Sequence, residues 1–210
     1  MNEICDRLIL EIARKFAPVP PGAPGIRFRS LKGGSGSGAV PGEARLLLTA
    51  PDYGPIRQTL GAYREETGYD VDFRSRGKSL EISVRDRSDG QDGPAREAAA
   101  ISILMEIAGT LPFAGDEIRE FIQFYNTHIG HKAGGTLSAG NSCEPEAFPS
   151  VLGAERIDMT PEAAGLTLDI CRPPSCTEDQ ICDAMMPVLN RYEIGMLKPG
   201  KVKDGDTDNI

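Results

Sequence analysis

The stretch YDVDFRSRGKSLEISVR, residues 69–85, decides how this chain folds. Val71 and Phe73 alternate with polar neighbours, and so do Leu80, Ile82 and Val84, with Arg76-Gly77-Lys78 between the two runs. A period of two puts one set of side chains on one side of a strand. The stretch therefore predicts a hairpin over 69–75 and 79–85 with one buried face and one wet face. Helical patterns flank it. Residues 54–67 carry Pro55 in a first turn, a stripe of Ile56, Leu60 and Tyr63, and Gly68 as a stop. Residues 94–109 start at Pro94, turn Ala98, Ile101, Leu104, Met105 and Ala108 inward, and close at Gly109. Upstream, IRFRSL (26–31) and EARLLLTA (43–50) read as strands.

The same order returns further along. Ile118, Phe121, Ile122, Tyr125 and Ile129 form one stripe on a helix over 116–129. AERIDMT (154–160) and GLTLDIC (165–171) form a second hairpin. Thr177 with Gln180 is a capping-box pattern that opens a helix running to 192, with Pro187 inside it, and residues 194–198 read as a last strand. Helix, hairpin and helix over 54–109 and again over 116–192, completed by the strands at 43–50 and 194–198, predict an α+β fold. Two ferredoxin-like, split βαβ modules are expected, with antiparallel sheets covered by helices on one face. The expected division is an N-terminal helix and Pro/Gly linker over 1–25, a first module over 26–112, a second over 113–200 and a polar tail over 201–210. The N-terminal helix rests on Ile4, Leu8, Ile9, Ile12 and Phe16 at near-helical spacing over 3–16, with Asn2 as cap; APVPPGAPG (17–25) ends it. The Gly-, Ser- and Pro-rich 130–150 segment reads as a long loop.

Composition limits what such a fold does. The chain has 210 residues, 40% apolar and without Trp, so the core rests on aliphatic side chains. A net charge of −8 disfavours nucleic acid and anionic membrane surfaces as partners. No run approaches the roughly 20 apolar residues of a membrane span, and the N-terminus lacks the pattern of a signal peptide; a cytoplasmic protein is expected. Five cysteines, an odd number with no Cys-x-x-Cys pair, read as reduced thiols. GGSGSG (33–38) lacks the Gly-Lys-Ser/Thr ending that holds phosphate in a P-loop. Glu65-Glu66 reads as the solvated face of a helix. His128 and His131, three residues apart at a helix end, with Cys143, form a permissive metal set, but histidines so placed more often cap a helix or face solvent.

Four pieces of the chain, in order, resemble the lid of PepV-type and aminoacyl-histidine zinc dipeptidases. They are IRFRSLKGG with AVPGEARLLL (26–34 and 39–48), KSLEISVRDRSDGQDGPAREAAAISILMEIAG (78–109), EIREFIQFYNTHIG (117–130) and ERIDMTPEAAGLTLDICRPP (155–174). The resemblance covers residues 26–192 and implies a lid and dimerisation scaffold. In that family a separate catalytic domain holds zinc, and the lid lends a His and an Arg to the substrate. Here Gly90 stands where the family's Gly-Lys-Ser-Ala-His ends, and Cys171 stands for the Arg of Asp-Ile-Arg-Tyr-Pro; Arg172 comes one residue late and is expected on the opposite strand face. Gly38 stands where the family has the Asn of Asn-x-Val-Pro, two residues before Val40-Pro41.

These departures assign no catalytic, cofactor-binding or metal residue to the chain, and no cofactor; zinc belongs to the catalytic domain of the family it resembles. They point to a relative that has dropped the chemistry. The expected function is a non-catalytic lid or dimerisation-like module acting in protein–protein association, as a homodimer or with a separate catalytic chain. Two alternatives remain open at this point: a split part of a metal-dependent dipeptidase, hydrolysing peptides only with a catalytic domain, and a small-molecule-binding ferredoxin-like module.

Overall fold

A computed structural model describes residues 6–34, 42–85, 94–130, 150–172, 174 and 176–197; the side chains of 94–99, 150–152 and 171 lie outside the described set. In chain order the elements are β1 (Asp6–Lys15), β2 (Arg27–Gly34), β3 (Glu43–Thr49), α1 (Gly54–Thr67), β4 (Asp70–Arg76), β5 (Ser79–Arg85), α2 (Pro94–Gly109), α3 (Asp116–His128), β6 (Ser150–Met159), β7 (Ala163–Arg172), α4 (Glu178–Arg191) and β8 (Gly195–Leu197). The strands form one sheet of eight, in the order β4-β5-β3-β2-β6-β7-β1-β8. Every neighbouring pair is antiparallel. The fold is α+β.

The hairpin expected over 69–85 forms as β4 and β5, in the register Asp70↔Arg85 to Arg76↔Ser79. Val71, Leu80, Ile82 and Val84 are buried. The strand β5 lies between β3 and β4, so α1 connects two strands that are not neighbours. Gly68 ends α1 with φ +72 and its N–H on the Arg64 carbonyl at 2.9 Å, a conformation glycine adopts without strain.

The N-terminal segment is a strand where a helix is expected. Ile4, Leu8, Ile9 and Ile12 mimic helical spacing, but Leu8, Leu10, Ile12 and Arg14 also alternate, and β1 finds partners on both sides. It pairs with β7 over ten residues and with β8 over three. A helix would satisfy its own backbone groups but leave β7 and β8 without a partner between them; as a strand the segment pairs with both, and Leu10 and Ile12 are fully buried as a result. Asn2, the expected cap, lies outside the described residues, as do the 131–149 part of the expected long loop and the 201–210 tail.

One face of the sheet carries the helices. Helix α2 lies over β2, β3, β5 and β6 and packs against α3. Tyr63 of α1 donates to Glu106 of α2 at 3.0 Å, and Ser102 of α2 meets the buried Tyr125 hydroxyl of α3 at 3.0 Å. Phe124 of α3 packs against Tyr192, just past α4, with ring centres 5.2 Å apart and the rings tilted by 58°. Helix α4 starts with the expected capping box: the Gln180 N–H donates to Thr177 Oγ1 and the Thr177 N–H to Gln180 Oε1. Cys176 is buried and disulfide-bonded, while Cys182 is free. This corrects the expectation of reduced thiols throughout: pairing follows from which sulfur atoms the fold brings together, which a count of cysteines does not reveal.

The centre of the sheet is the β2–β6 pair, Leu31↔Met159 to Gly34↔Arg156. A Cβ at Gly33 would lie 2.7 Å from Ile101 Cγ1 of α2. At Gly34, with φ +84, a Cβ would lie 1.9 Å from the Glu155 carbonyl oxygen. The Lys32-Gly33-Gly34 run is therefore a close-approach device. It brings β2 under α2 and against β6.

Candidate interaction surface

Among the described residues no helix covers the second face of the sheet, and that face is charged. Strand alternation puts Asp70, Asp72, Arg74 and Arg76 of β4 on it, with Glu81 and Arg85 of β5, Glu43 and Arg45 of β3, Lys32 of β2, Asp158 of β6, Asp169 of β7 and Arg7 of β1. Glu43 and Glu81 lie low, and their arginines lie over them. Glu43 receives Arg45 at 2.6 Å and Arg85 at 3.2 Å. Glu81 receives Arg74 at 2.7 Å and Arg76 at 3.0 Å. The Glu43 and Glu81 side chains are 2% and 6% exposed, whereas Arg74, Arg76 and Arg85 are 55–56% exposed. Lys32 pairs with Asp158 at 3.4 Å, and Arg7 clamps Asp169. The six acids and six bases balance, so the layer is a pattern of paired charge with arginine tips rather than a field of one sign.

Electrostatics within this layer follow from depth. Burial pushes the Glu43 carboxyl up, but the hydrogen bond from Arg45 and the positive charges of Arg45 and Arg85 outweigh it and hold the group below its ordinary range. The Arg45 guanidinium is raised, first by its hydrogen bond to Glu43, against the opposing effect of burial. Both stay charged, and the layer is a fixed charge pattern on a flat sheet.

The sheet has two edges. At one end β8 contributes three residues, Gly195–Leu197. At the other, β4 presents seven, DVDFRSR, and from Asp72 to Arg76 every residue but the half-buried Phe73 is exposed. In the β4–β5 ladder the pairs starting from Arg76↔Ser79 alternate between bonded and unbonded. The alternation turns the main-chain groups of Val71, Phe73 and Ser75 away from the sheet. Accordingly, the Val71 N–H goes to the Tyr69 carbonyl and the Phe73 N–H to the Asp72 carboxylate, both at 2.9 Å. Arg57 of α1 covers this strand from the helix side, 5.8 Å from the Phe73 ring centre and donating to Ser75 Oγ at 2.9 Å.

A groove of about 440 Å³ lies elsewhere, between the proline-rich crossing after β1 and the start of α3; Phe16, Val19, Pro24, Phe113 and Ile118 line it. Its polar contacts are internal: Glu117 accepts the Ala17 N–H, and Asp116 pairs with Arg119.

Of the residues singled out from the sequence, those described do not converge. Gly90, Gly38, His131 and Cys143 lie outside the described residues, as does the Cys171 side chain. Arg172 shares its strand face with Leu168 and Ile170, where it pairs with Asp6 at 2.6 Å and donates to the Cys176 carbonyl. Glu65 and Glu66 are exposed on the last turn of α1. His128 ends α3 inside an aromatic cluster, with ring centres 5.7 Å from Phe124 and 5.6 Å from Tyr192. Among the described residues no three His, Cys, Asp or Glu side chains come together as a metal site, and no helix is long and apolar enough to cross a membrane. The feature that sequence reading passes over is the charged layer. Its signal, acids and arginines at period two in 43–45, 70–76 and 81–85, is visible but reads as a merely wet face.

No protein-family model matches the chain, and no curated protein matches its sequence.

Proposed function

We propose that this chain is a non-catalytic association module whose uncovered sheet side engages another polypeptide. The observation that carries this reading is the asymmetry of the sheet among the described residues: four helices on one face, and on the other a layer of paired charges tipped with exposed arginine and bordered by an open seven-residue edge. Large ordered ion-pair layers constrain which surface docks and in what register more than they add raw affinity, and an open strand edge is a template for pairing.

The topology supports a finer reading of the fold as two ferredoxin-like units. One is β3-α1-β4-β5-α2 with β2 as its fourth strand; the other is β1-α3-β6-β7-α4-β8, into which the first is inserted. The lid of zinc dipeptidases remains the family this scaffold resembles on its sequence pieces, with the positions of its His and Arg taken by Gly90 and Cys171. On this reading the chain keeps an associating scaffold and has no peptide chemistry of its own. Light scattering on the purified full chain, beside a peptidase assay with zinc or manganese, tests it. No hydrolysis is expected; a particle larger than one chain would make a second copy the polypeptide engaged, and a single-chain particle a different one. Metal-dependent hydrolysis by the chain alone would overturn it.

A further inference from the structure

We infer that β4 is a self-pairing edge, through which two copies of the chain join antiparallel about a two-fold axis at Phe73. This rests on the association reading above and names its partner. Read along 70–76, the strand is Asp-Val-Asp-Phe-Arg-Ser-Arg. Antiparallel pairing about Phe73 sets Asp70 opposite Arg76 of the second copy, Asp72 opposite its Arg74 and Val71 opposite its Ser75, and each relation occurs twice. Moving the axis one residue either way, to Asp72 or Arg74, places two like charges opposite each other. An axis at Val71 opposes Asp70 to Asp72, and one at Ser75 opposes Arg74 to Arg76. Only the Phe73 register pairs all four charges with opposite sign, the arrangement favoured across a strand pair.

The backbone agrees with that register. Phe73, Val71 and Ser75 are the residues whose main-chain groups face outward, so Phe73 opposite itself is a bonded pair, as is Val71 opposite Ser75. The Phe73 N–H, now on the neighbouring Asp72 carboxylate, transfers to the second copy's Phe73 carbonyl. That frees Asp72 for Arg74 across the joint. Arg74 and Arg76 already hold Glu81, but both are more than half exposed, and a guanidinium has five N–H donors to share. The result is one sheet continued through two chains, with the α1 helices flanking the joint on the same side.

Sedimentation of the full-length chain across a concentration series tests this. The wild type is expected to self-associate. Asp72→Arg opposes Arg to Arg twice and Arg74→Asp opposes Asp to Asp twice, so each variant alone should associate about tenfold or more weakly. Mixed together, the two variants are complementary at every position, and the mixture should recover dimers that neither forms alone. Phe73→Pro is a second route: it removes an N–H that bonds nothing in the β4–β5 ladder, and is expected to leave a folded monomer. Wild-type association that both charge variants and Phe73→Pro leave unchanged would overturn the β4 joint while the association reading stands. A wild type that remains monomeric would overturn the joint and leave association to a different polypeptide.

Discussion

At Arg14 a guanidinium is carried to the helix side of the sheet beside Leu10 and Ile12, and its side chain is only 4% exposed. Nη2 reaches Glu120 at 2.9 Å and Glu193 at 3.7 Å, both carboxylates facing solvent, while Nε and Nη1 have no hydrogen-bond partner among the described residues. A buried cation with unsatisfied donors is costly, and replacing it by an apolar chain of similar length is often neutral or stabilising. Arg14→Met is therefore expected to leave stability unchanged or raise it by about 1–2 kcal/mol, read as a shift in the urea midpoint at constant slope. A loss above about 2 kcal/mol would mean that the ion pairs outweigh the buried donors. Sequence did not foretell this residue: Arg14 sits at a buried position of β1, and an Arg in an alternating run is ordinarily assigned to the wet face. By contrast, the burial of Val71, Leu80, Ile82 and Val84 was legible, because β-branched and aliphatic residues at period two have one economical placement.

Single elements divide the same way. The helices α1 to α4 fall close to their expected spans: α1, α2 and α4 carry their own punctuation in Pro55, Gly68, Pro94, Gly109 and the Thr177–Gln180 box, and α3 carries one clean apolar stripe. The strand β1 carries two periodicities, and only pairing with β7 and β8, more than 140 residues away, separates them. The β2–β6 contact was equally illegible, although its glycines were in view. Gly34→Ala forces a Cβ into the Glu155 carbonyl at a backbone angle that side chains rarely adopt, and is expected to destabilise the chain by about 1–3 kcal/mol or more. Thermal and urea unfolding measure this directly. An unchanged midpoint would show that β2 does not approach β6 this closely.

For the whole molecule, the class of fold could be read from patterning, since helix and hairpin signals recur in one order. The joining of all strands into one sheet could not, nor could the depth of the charged layer, because both depend on pairings between segments far apart in sequence. Burying Glu43 and Glu81 beneath arginines tips this part of the face with guanidinium groups, and the seven residues of β4 border it with a charge order that complements itself. Association through this uncovered side, at the β4 edge, is tested most directly by amide hydrogen exchange followed as protein concentration rises, which reports on that edge residue by residue. Exchange at Phe73 and Ser75 is predicted to slow with concentration while the amides of Gly195–Leu197 at the opposite edge keep their rates; exchange in β4 that does not depend on concentration would contradict association at this edge.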